Sequence, residues 1–186
     1  MNRNKWLSQV VKKQLGTVSN AVEVGIWRGD YSLQIIEALS PTNFFGVDPY
    51  LIHDEYNNVP NSSEYANQHN LDQLYERVNT KFNSWPCASL IRNKGVDAAA
   101  QFEDASLDFV YIDGDHTYDY VKGDIAAWWP KVKPGGILSG HDYIARNPRK
   151  GHIYGVIQAV DEFANLYGLT VLTTDDEFPT WWVTKK

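Results

Sequence analysis

One pattern recurs along this chain: a short apolar run, a joint rich in glycine or acidic residues, and then residues with helical spacing. The first five apolar runs, which are typical of buried strands, are 21–24, 44–47, 89–92, 107–112 and 137–140. After the fourth run, Tyr118, Val121 and Ile125 recur every three or four residues, as on one face of a helix. Alternating strands and helices form right-handed crossovers in a mainly parallel sheet covered on both faces. The pattern predicts an α/β fold, a Rossmann-like three-layer sandwich.

The C-terminal part of the chain adds two predicted strands, over 169–173 and 181–183. With them the chain has seven predicted strands. The helix that follows the fourth strand is predicted to continue through Trp129 and Val132. The run Lys133-Pro134-Gly135-Gly136 is expected to end it, because proline and glycine interrupt helices.

Length and composition narrow the class of protein. The 186 residues have the size of one domain, and we expect 1–186 to be one, with a helix over 1–16 packing on its core. The net charge is −6 and the basic residues are scattered, so no nucleic-acid partner is expected. No apolar run is long enough to span a membrane, and no signal peptide is visible. Because Cys87 is the only cysteine, we expect a cytoplasmic protein without a disulfide or a multi-cysteine zinc site.

The residues that follow the predicted strands are the candidate functional residues, because ligands of open α/β sheets bind at the carboxyl ends of the strands. These residues are Glu23, Asp48, Asp113, Asp115, His116, His141 and Asp142. Acidic side chains thus follow four strands, where ribose hydroxyls and a metal ion would be held.

The turn after the first strand contains Gly25 and Gly29 in the spacing G-x-x-x-G. Glycines there let the backbone approach a ligand, and the next helix, with Asp30 as its expected N-cap, offers unpaired N–H groups. Dinucleotide-binding turns read G-x-G-x-x-G, whereas here Trp27 stands where the middle glycine would admit a pyrophosphate. The turn favours a cofactor without a pyrophosphate; a glycine turn with no ligand is the alternative.

Asp48 ends the second strand, about 20 residues beyond the glycine turn. A carboxylate at this place accepts hydrogen bonds from both hydroxyls of a ribose. The alternative is an aspartate that caps the loop before Pro49.

The densest group of candidates follows the fourth and fifth strands. Neighbouring strands would place Asp113 and Asp142 on one rim, close enough to share Mg²⁺ or Mn²⁺. His116 or Asp115 would then take a proton from a hydroxyl that the metal acidifies. Alternatively, Asp115 and His116 cap the following helix, and His141 forms a turn with Asp142.

Four segments carry a resemblance to a known family: AVEVGIWRGDYS (21–32), FGVD (45–48), LDFVYIDGDH (107–116) and WWPKVKPGGILSGHDY (128–143). They resemble the class I S-adenosylmethionine-dependent methyltransferases. The closest branch is that of the macrocin and mycinamicin sugar O-methyltransferases and the proteins called cephalosporin hydroxylases. The likeness covers roughly residues 17 to 166, and the last two segments are its most specific part.

The resemblance implies a sheet of order 3-2-1-4-5-7-6 with an antiparallel strand seven, and S-adenosylmethionine as the cofactor. The implied cofactor-binding residues are Glu23, Gly25, Trp27, Gly29 and Ser32 toward the methionine part, Asp48 at the ribose, Gly95 and Val96 at the adenine, and Asp113. The implied reaction is O-methylation of a hydroxyl on a small molecule or sugar.

In metal-dependent relatives, Asp113 and the residues at 141 and 142 would hold a divalent cation, and His116 would match the general base. This chain departs from those relatives at two positions. His141 replaces a usual carboxylate, and Gly95 stands where a serine or an acidic residue is common, which leaves backbone contacts to adenine at this position.

Other functions share parts of this pattern. A nicotinamide-dependent oxidoreductase would have the same sheet and Asp48, a glycosyltransferase would use Asp113-Gly-Asp115 as a D-x-D motif, and an inactive module would bind the cofactor without catalysis. For a methyltransferase of this size, the acceptor would be covered by 50–63, 142–154, the N-terminal helix or a second subunit of a homo-oligomer.

Overall fold

The computed structural model describes residues 1–52, 67–146 and 153–186. Within them lies one seven-stranded sheet of order β3-β2-β1-β4-β5-β7-β6. Its strands are β1 (Asn20–Val24), β2 (Asn43–Val47), β3 (Ala88–Ile91), β4 (Leu107–Ile112), β5 (Val132–Gly140), β6 (Leu172–Thr173) and β7 (Trp181–Thr184). Strands β1 to β5 pair in parallel, and β7 is antiparallel to both β5 and β6. The predicted fold class and the strand order are confirmed.

Helices cover both faces of the sheet. The N-terminal helix consists of α1 (Arg3–Trp6), a π-helical turn (Leu7–Val11) and α2 (Lys12–Leu15); the others are α3 (Asp30–Leu39), α4 (Gln68–Asn83), α5 (Gly95–Ala99), α6 (Tyr118–Trp128) and α7 (Val156–Tyr167). Among the residues that the structure describes, no helix has the length and apolar character needed to cross a membrane.

The N-terminal helix is anchored by its aromatic residue. Trp6 is fully buried, and its ring centroid lies 5.3 Å from that of Trp182 and 6.0 Å from that of Phe109. Leu7 and Val11 are buried in the same apolar cluster. Burial of a tryptophan is worth several kcal/mol, so the start of this helix is fixed against the sheet.

The tryptophan pairs show how completely the sheet is covered. Trp128 and Trp129 are buried in the core. In β7 we expected one of Trp181 and Trp182 to point inward and the other outward, and the expectation that one of them is exposed is wrong. The two side chains do lie on opposite faces, in different apolar clusters, but both are buried because helices cover both faces.

The crossover from α6 to β5 differs from the prediction. The α-helix ends at Trp128, a short 3₁₀ turn covers Trp129–Lys131, and Val132 already belongs to β5. Pro130 has no N–H and cannot continue the helical hydrogen-bond pattern, which explains the early end. The two glycines expected to stop the helix instead lie inside β5, and the β4–β5 register shifts there.

The boundaries of α3 and β6 also differ from the prediction. The N-cap of α3 is Gly29, in the left-handed region at φ 69°, and Asp30 is the first helical residue. The sixth strand is limited to Leu172–Thr173, because β7 pairs with only those two residues at the sheet edge.

Candidate active site

The carboxyl ends of β1, β2 and β4 open into a cavity of about 630 Å³, the place where α/β sheets bind ligands. A cavity of this volume accommodates a nucleoside-sized ligand. The sequence-predicted site residues in its wall are Glu23, Gly25, Trp27, Asp48, Gly95, Val96, Asp113, Asp115 and His116. The predicted residues outside its wall are Gly29, Ser32, His141 and Asp142.

Gly25 brings β1 and β4 together at the mouth of the cavity. A Cβ atom at this position would lie 2.3 Å from the carbonyl oxygen of Asp113, and the backbone has φ 84°. No other residue type meets both conditions without strain. The glycine of the first motif therefore serves the close approach of two backbones as well as access for a ligand.

Asp48 holds the glycine turn in place. Its Oδ2 accepts a hydrogen bond from the Trp27 N–H at 3.0 Å, and its Oδ1 accepts one from the Tyr50 N–H at 2.8 Å. The Tyr50 hydroxyl in turn donates to the Trp27 carbonyl at 2.9 Å. The loop-capping role is thus observed, and Asp48 also lines the cavity.

Glu23 lies at the end of β1 with its side chain almost completely buried. Ser32 does not reach the cavity; it is fully buried, and its hydroxyl donates a hydrogen bond to the Glu23 carboxyl group. Burial raises the pKa of Glu23 to about 8, although the hydrogen bond from Ser32 opposes the increase. Burial therefore favours the protonated form of Glu23 at neutral pH, and the positive charge of Arg3 opposes this effect.

Arg3 reaches the cavity from α1, and the sequence analysis did not identify it. Its guanidinium lies 4.0 Å from the centroid of the Tyr31 ring, and its NH1 atom lies 3.6 Å from Asp113 Oδ2. The buried Trp6 holds the helix that carries it. Arg3 places a positive charge beside Glu23 and Asp113.

The side chains after β4 and β5 form a cluster of two aspartates and two histidines. Ligand atoms of Asp113, His141 and Asp142 all lie within 4.8 Å of one another. His116 Nε2 lies 2.8 Å from Asp142 Oδ2 and 3.7 Å from Asp113 Oδ1. The pairing of β4 with β5 brings these residues together, as the sequence indicates.

Opposite charges dominate this cluster. Burial alone would raise the pKa of Asp113, but His141 and His116 outweigh it and hold that pKa well below its usual value. Burial likewise opposes protonation of His141, yet Asp113 and Asp142 raise its pKa to about 9. The positive charge of protonated His141 therefore balances the two carboxylates, and a metal ion bound to this imidazole would displace its proton.

The cluster is held rigidly by its surroundings. Asp142 has φ 55°, in the left-handed region that residues other than glycine seldom adopt. The His116 ring stacks on Tyr154 at 4.4 Å between centroids, and the His116 carbonyl accepts a hydrogen bond from Gly155. Rotation of this imidazole is restricted.

Asp115 has a different environment. Its Oδ1 accepts a hydrogen bond from the Thr117 N–H at 2.7 Å, beside the start of α6. It is not part of the metal-ligand cluster of Asp113, so the described residues give no support to a D-x-D cation site. Asp115 supports the helix start and also lines the cavity.

The donor set fits a divalent cation. Two carboxylates and one imidazole converge after β4 and β5, which is the chemistry that first-row divalent metals bind. His141 adds an imidazole to the carboxylate ligands that Mg²⁺ and Mn²⁺ ordinarily take.

The loops expected to cover the acceptor lie only partly in the described structure. Residues 53–63 and 147–152 fall outside it. Tyr50, Leu51 and Ile52 line the cavity on one side, and Tyr154 lines it on the other.

A family model described as a methyltransferase domain matches residues 22–143, more than half of the chain. The chain belongs to the methyltransferase domain family. The matched stretch runs from β1 to the residues just after β5, and it includes every site residue that the sequence predicted. The family model therefore identifies the domain from the sequence alone, without reference to the cavity.

A curated relative matches only part of the methyltransferase chain. The protein y4gI of Sinorhizobium fredii, described as uncharacterized, is 33% identical over 94 residues. The match covers 50% of this chain and 10% of that protein. The matched stretch thus spans only about a tenth of that protein's length.

Solved methyltransferase structures share the fold over nearly the whole chain. The N-methyltransferase NodS of Bradyrhizobium japonicum, in complex with S-adenosyl-L-homocysteine, has a TM-score of 0.64 and 16% identity, covering 98% of this chain and 85% of its own. An O-methyltransferase family protein from Burkholderia thailandensis has a TM-score of 0.66 and 12% identity, covering 98% and 55%. Because one acts on nitrogen and the other is an O-methyltransferase by family, the shared fold leaves the acceptor atom open.

Proposed function

We propose that this methyltransferase transfers a methyl group from S-adenosylmethionine to a hydroxyl oxygen of a small molecule or sugar, with the help of a divalent cation. The observation that carries the proposal is the position of Asp113, which belongs both to the cavity wall and to the two-aspartate, two-histidine cluster. A cofactor in the cavity and an acceptor at the cluster would therefore be neighbours. Holding two reactants side by side contributes several kcal/mol to catalysis.

The cavity wall offers partners for each part of such a cofactor. S-adenosylmethionine supplies an electrophilic methyl group, and its amino-acid part carries an ammonium and a carboxylate. Glu23 would bind the ammonium, and Arg3 would bind the carboxylate, because both side chains line the same part of the cavity. Asp48 would accept hydrogen bonds from the ribose hydroxyls.

The cluster supplies acid–base chemistry at the acceptor. Asp113, His141 and Asp142 would hold the cation, which when bound lowers the pKa of a nearby hydroxyl. His116 would take the proton at Nε2, and Asp142 Oδ2, 2.8 Å away, would stabilise the resulting imidazolium. Asp115 stays a second candidate for a proton acceptor on the cavity wall.

The acceptor class follows from the resemblance to the macrocin and mycinamicin sugar O-methyltransferases. The nicotinamide alternative is weaker, because the glycine turn lacks the dinucleotide spacing and the family model is that of a methyltransferase domain. A titration with NADH tests it directly.

Transfer of a labelled methyl group to a panel of sugars, phenols and peptides tests the proposal. We expect transfer to a hydroxylated acceptor that is lost with excess chelator and restored by Mn²⁺. His116→Ala should lower kcat at least 100-fold while leaving the Kd for S-adenosylhomocysteine within about twofold. His69→Ala, at an exposed histidine of α4, is the matched control and should behave as wild type.

Two outcomes would contradict parts of the proposal. Full activity in excess chelator would rule out the assistance of a metal ion. Cofactor binding without transfer to any hydroxylated acceptor would favour an inactive cofactor-binding module.

A further inference from the structure

Three exposed apolar side chains lie in one short segment at the end of α7 and in β6. Leu166 is 78% exposed, Tyr167 54% and Leu172 49%, and none of them lines the cavity. Most of the other exposed large apolar side chains of the described residues do line it, where a ligand would cover them: Trp27, Leu51, Ile52, Val96 and Tyr120. The three residues, together with the neighbouring Thr173, form a second apolar surface, the α7–β6 surface, which a cofactor would leave uncovered.

The α7–β6 surface is fixed to the core of the protein. The Tyr167 ring centroid lies 5.1 Å from that of Phe163 and 5.7 Å from that of Trp129. Leu169 and Val171, which connect α7 to β6, pack against the apolar cluster that contains both of these aromatic residues. A surface held in this way loses little conformational freedom when a partner covers it.

Strand β6 adds an unpaired backbone edge to this surface. It is the last strand in the sheet order, and within the described ranges only β7 pairs with it. Across that ladder the Thr174 N–H donates to the Thr180 carbonyl at 2.9 Å. Because successive residues of an antiparallel strand bond alternately toward and away from the partner strand, the N–H and C=O groups of Thr173 point to the free edge. Proteins usually protect such an edge with lysine or proline, and β6 contains neither.

The distribution of charge indicates what covers the α7–β6 surface. Residues 163–174 are the longest run of the sequence without a charged side chain, and the acidic residues Glu162 and Asp175 flank it. A partner attracted by opposite charge, or an anionic membrane, would find no basic residue in this run. Two copies of a chain with net charge −6 repel each other, so they can meet closely only where neither presents a charge. The cores of protein interfaces are likewise poor in charge and rich in tyrosine.

We propose that the protein forms a two-fold dimer in which the α7–β6 surface of one copy packs on the same surface of a second copy. A two-fold axis brings identical surfaces together, and it relates two β6 strands as antiparallel neighbours. The backbone groups of Thr173 then find partners across the axis, and the side chains of Leu166, Tyr167 and Leu172 become buried. The contact also removes the unprotected edge of the sheet.

Sedimentation velocity of the wild type over a roughly 100-fold range of protein concentration tests the proposal. The protein should sediment as a dimer at the higher concentrations. Added salt should lower the Kd of the dimer, because it screens the repulsion between two chains of net charge −6. A wild type that stays monomeric throughout, or a dimer that salt dissociates, would overturn the proposal.

Substitutions locate the contact. Leu172→Glu should raise the Kd of the dimer at least about 100-fold, because like charges then face each other across the axis. Leu166→Glu, at a side chain that is almost fully exposed and of little importance for folding, should raise it at least about 10-fold. Ile153→Glu adds the same charge at an exposed apolar residue away from the α7–β6 surface, and it should keep the wild-type Kd apart from a small effect of net charge. A wild-type Kd in both leucine variants would show that the copies meet elsewhere and would overturn the proposal.

A mixing experiment distinguishes a broken contact from a misfolded variant. Leu172→Glu and Leu172→Lys, each with the far-ultraviolet circular dichroism of the wild type, should be monomeric alone and should form a mixed dimer when combined. The two-fold axis places the two substituted positions near each other, so opposite charges there attract. Two folded variants that do not form the mixed dimer would contradict the two-fold contact through β6.

Discussion

Replacement of Glu23 by glutamine should make the stability of the protein less dependent on pH. Glu23 is buried beneath the cavity, and its pKa rises from an ordinary value of 4.5 to about 8 on folding. A carboxyl group with a raised folded-state pKa favours the folded state fully below pH 4.5. That contribution is lost as the pH rises toward 8, because the unfolded chain releases the proton more readily.

The magnitude follows from the two pKa values. Each pH unit between 4.5 and about 8 corresponds to about 1.4 kcal/mol, so ionisation of Glu23 lowers the free energy of unfolding by about 5 kcal/mol at pH 9. At pH 7 the same calculation gives about 3 kcal/mol. Glutamine keeps the shape and a hydrogen-bond partner for Ser32 but does not ionise.

Urea unfolding of the wild type and Glu23→Gln at pH 5, 7 and 9 measures the effect. We expect the variant to gain several kcal/mol relative to the wild type between pH 5 and pH 9. Glu76→Gln removes an exposed charge on α4 and controls for the change in net charge. A difference between Glu23→Gln and wild type that stays constant over this pH range would refute the reasoning.

Two further substitutions test the cavity wall. Arg3→Ala should weaken S-adenosylhomocysteine binding roughly 10-fold in calorimetry, because a charge-assisted hydrogen bond to the carboxylate is lost. Lys5→Ala, at an exposed lysine of the same helix, is the control and should leave the affinity unchanged. Equal effects of the two substitutions would contradict the role of Arg3. Gly25→Ala should lower the free energy of unfolding by about 3 kcal/mol or more, because its Cβ would meet the Asp113 carbonyl. Gly135→Ala, at a similar φ but in open space, should cost only about 1 kcal/mol, and similar urea midpoints for the two variants would contradict this.

The strand pattern was readable from sequence because each buried strand is a short apolar run followed by a polar joint. The prediction failed between Trp128 and Val132, where helical spacing continues past Pro130 but the missing N–H ends the helix. The burial of both Trp181 and Trp182 was also missed, because alternation along a strand does not reveal whether a helix covers its second face.

The site residues that the sequence predicted and those that it missed lie on different parts of the fold. Asp48 and Asp113 were found because they directly follow strands, and Glu23 because it lies at the end of one. Sheet topology brings these strand ends together. Arg3 of α1 and Asp124 of α6, which also line the cavity, were missed because they reach it from helices, through packing that no local pattern records. The helical position of Asp124 gives one signal in retrospect, since an acidic residue lies between Val121 and Ile125 on the buried part of α6.

Binding of S-adenosylhomocysteine to the wild-type protein tests most directly whether the cavity is the cofactor site of a methyltransferase. Calorimetric titration should show one ligand bound per chain, with affinity at least 10-fold weaker in Asp48→Ala because two hydrogen bonds to the ribose are lost. Absence of binding to the wild type, or affinity unchanged in Asp48→Ala, would contradict the assignment of the cavity.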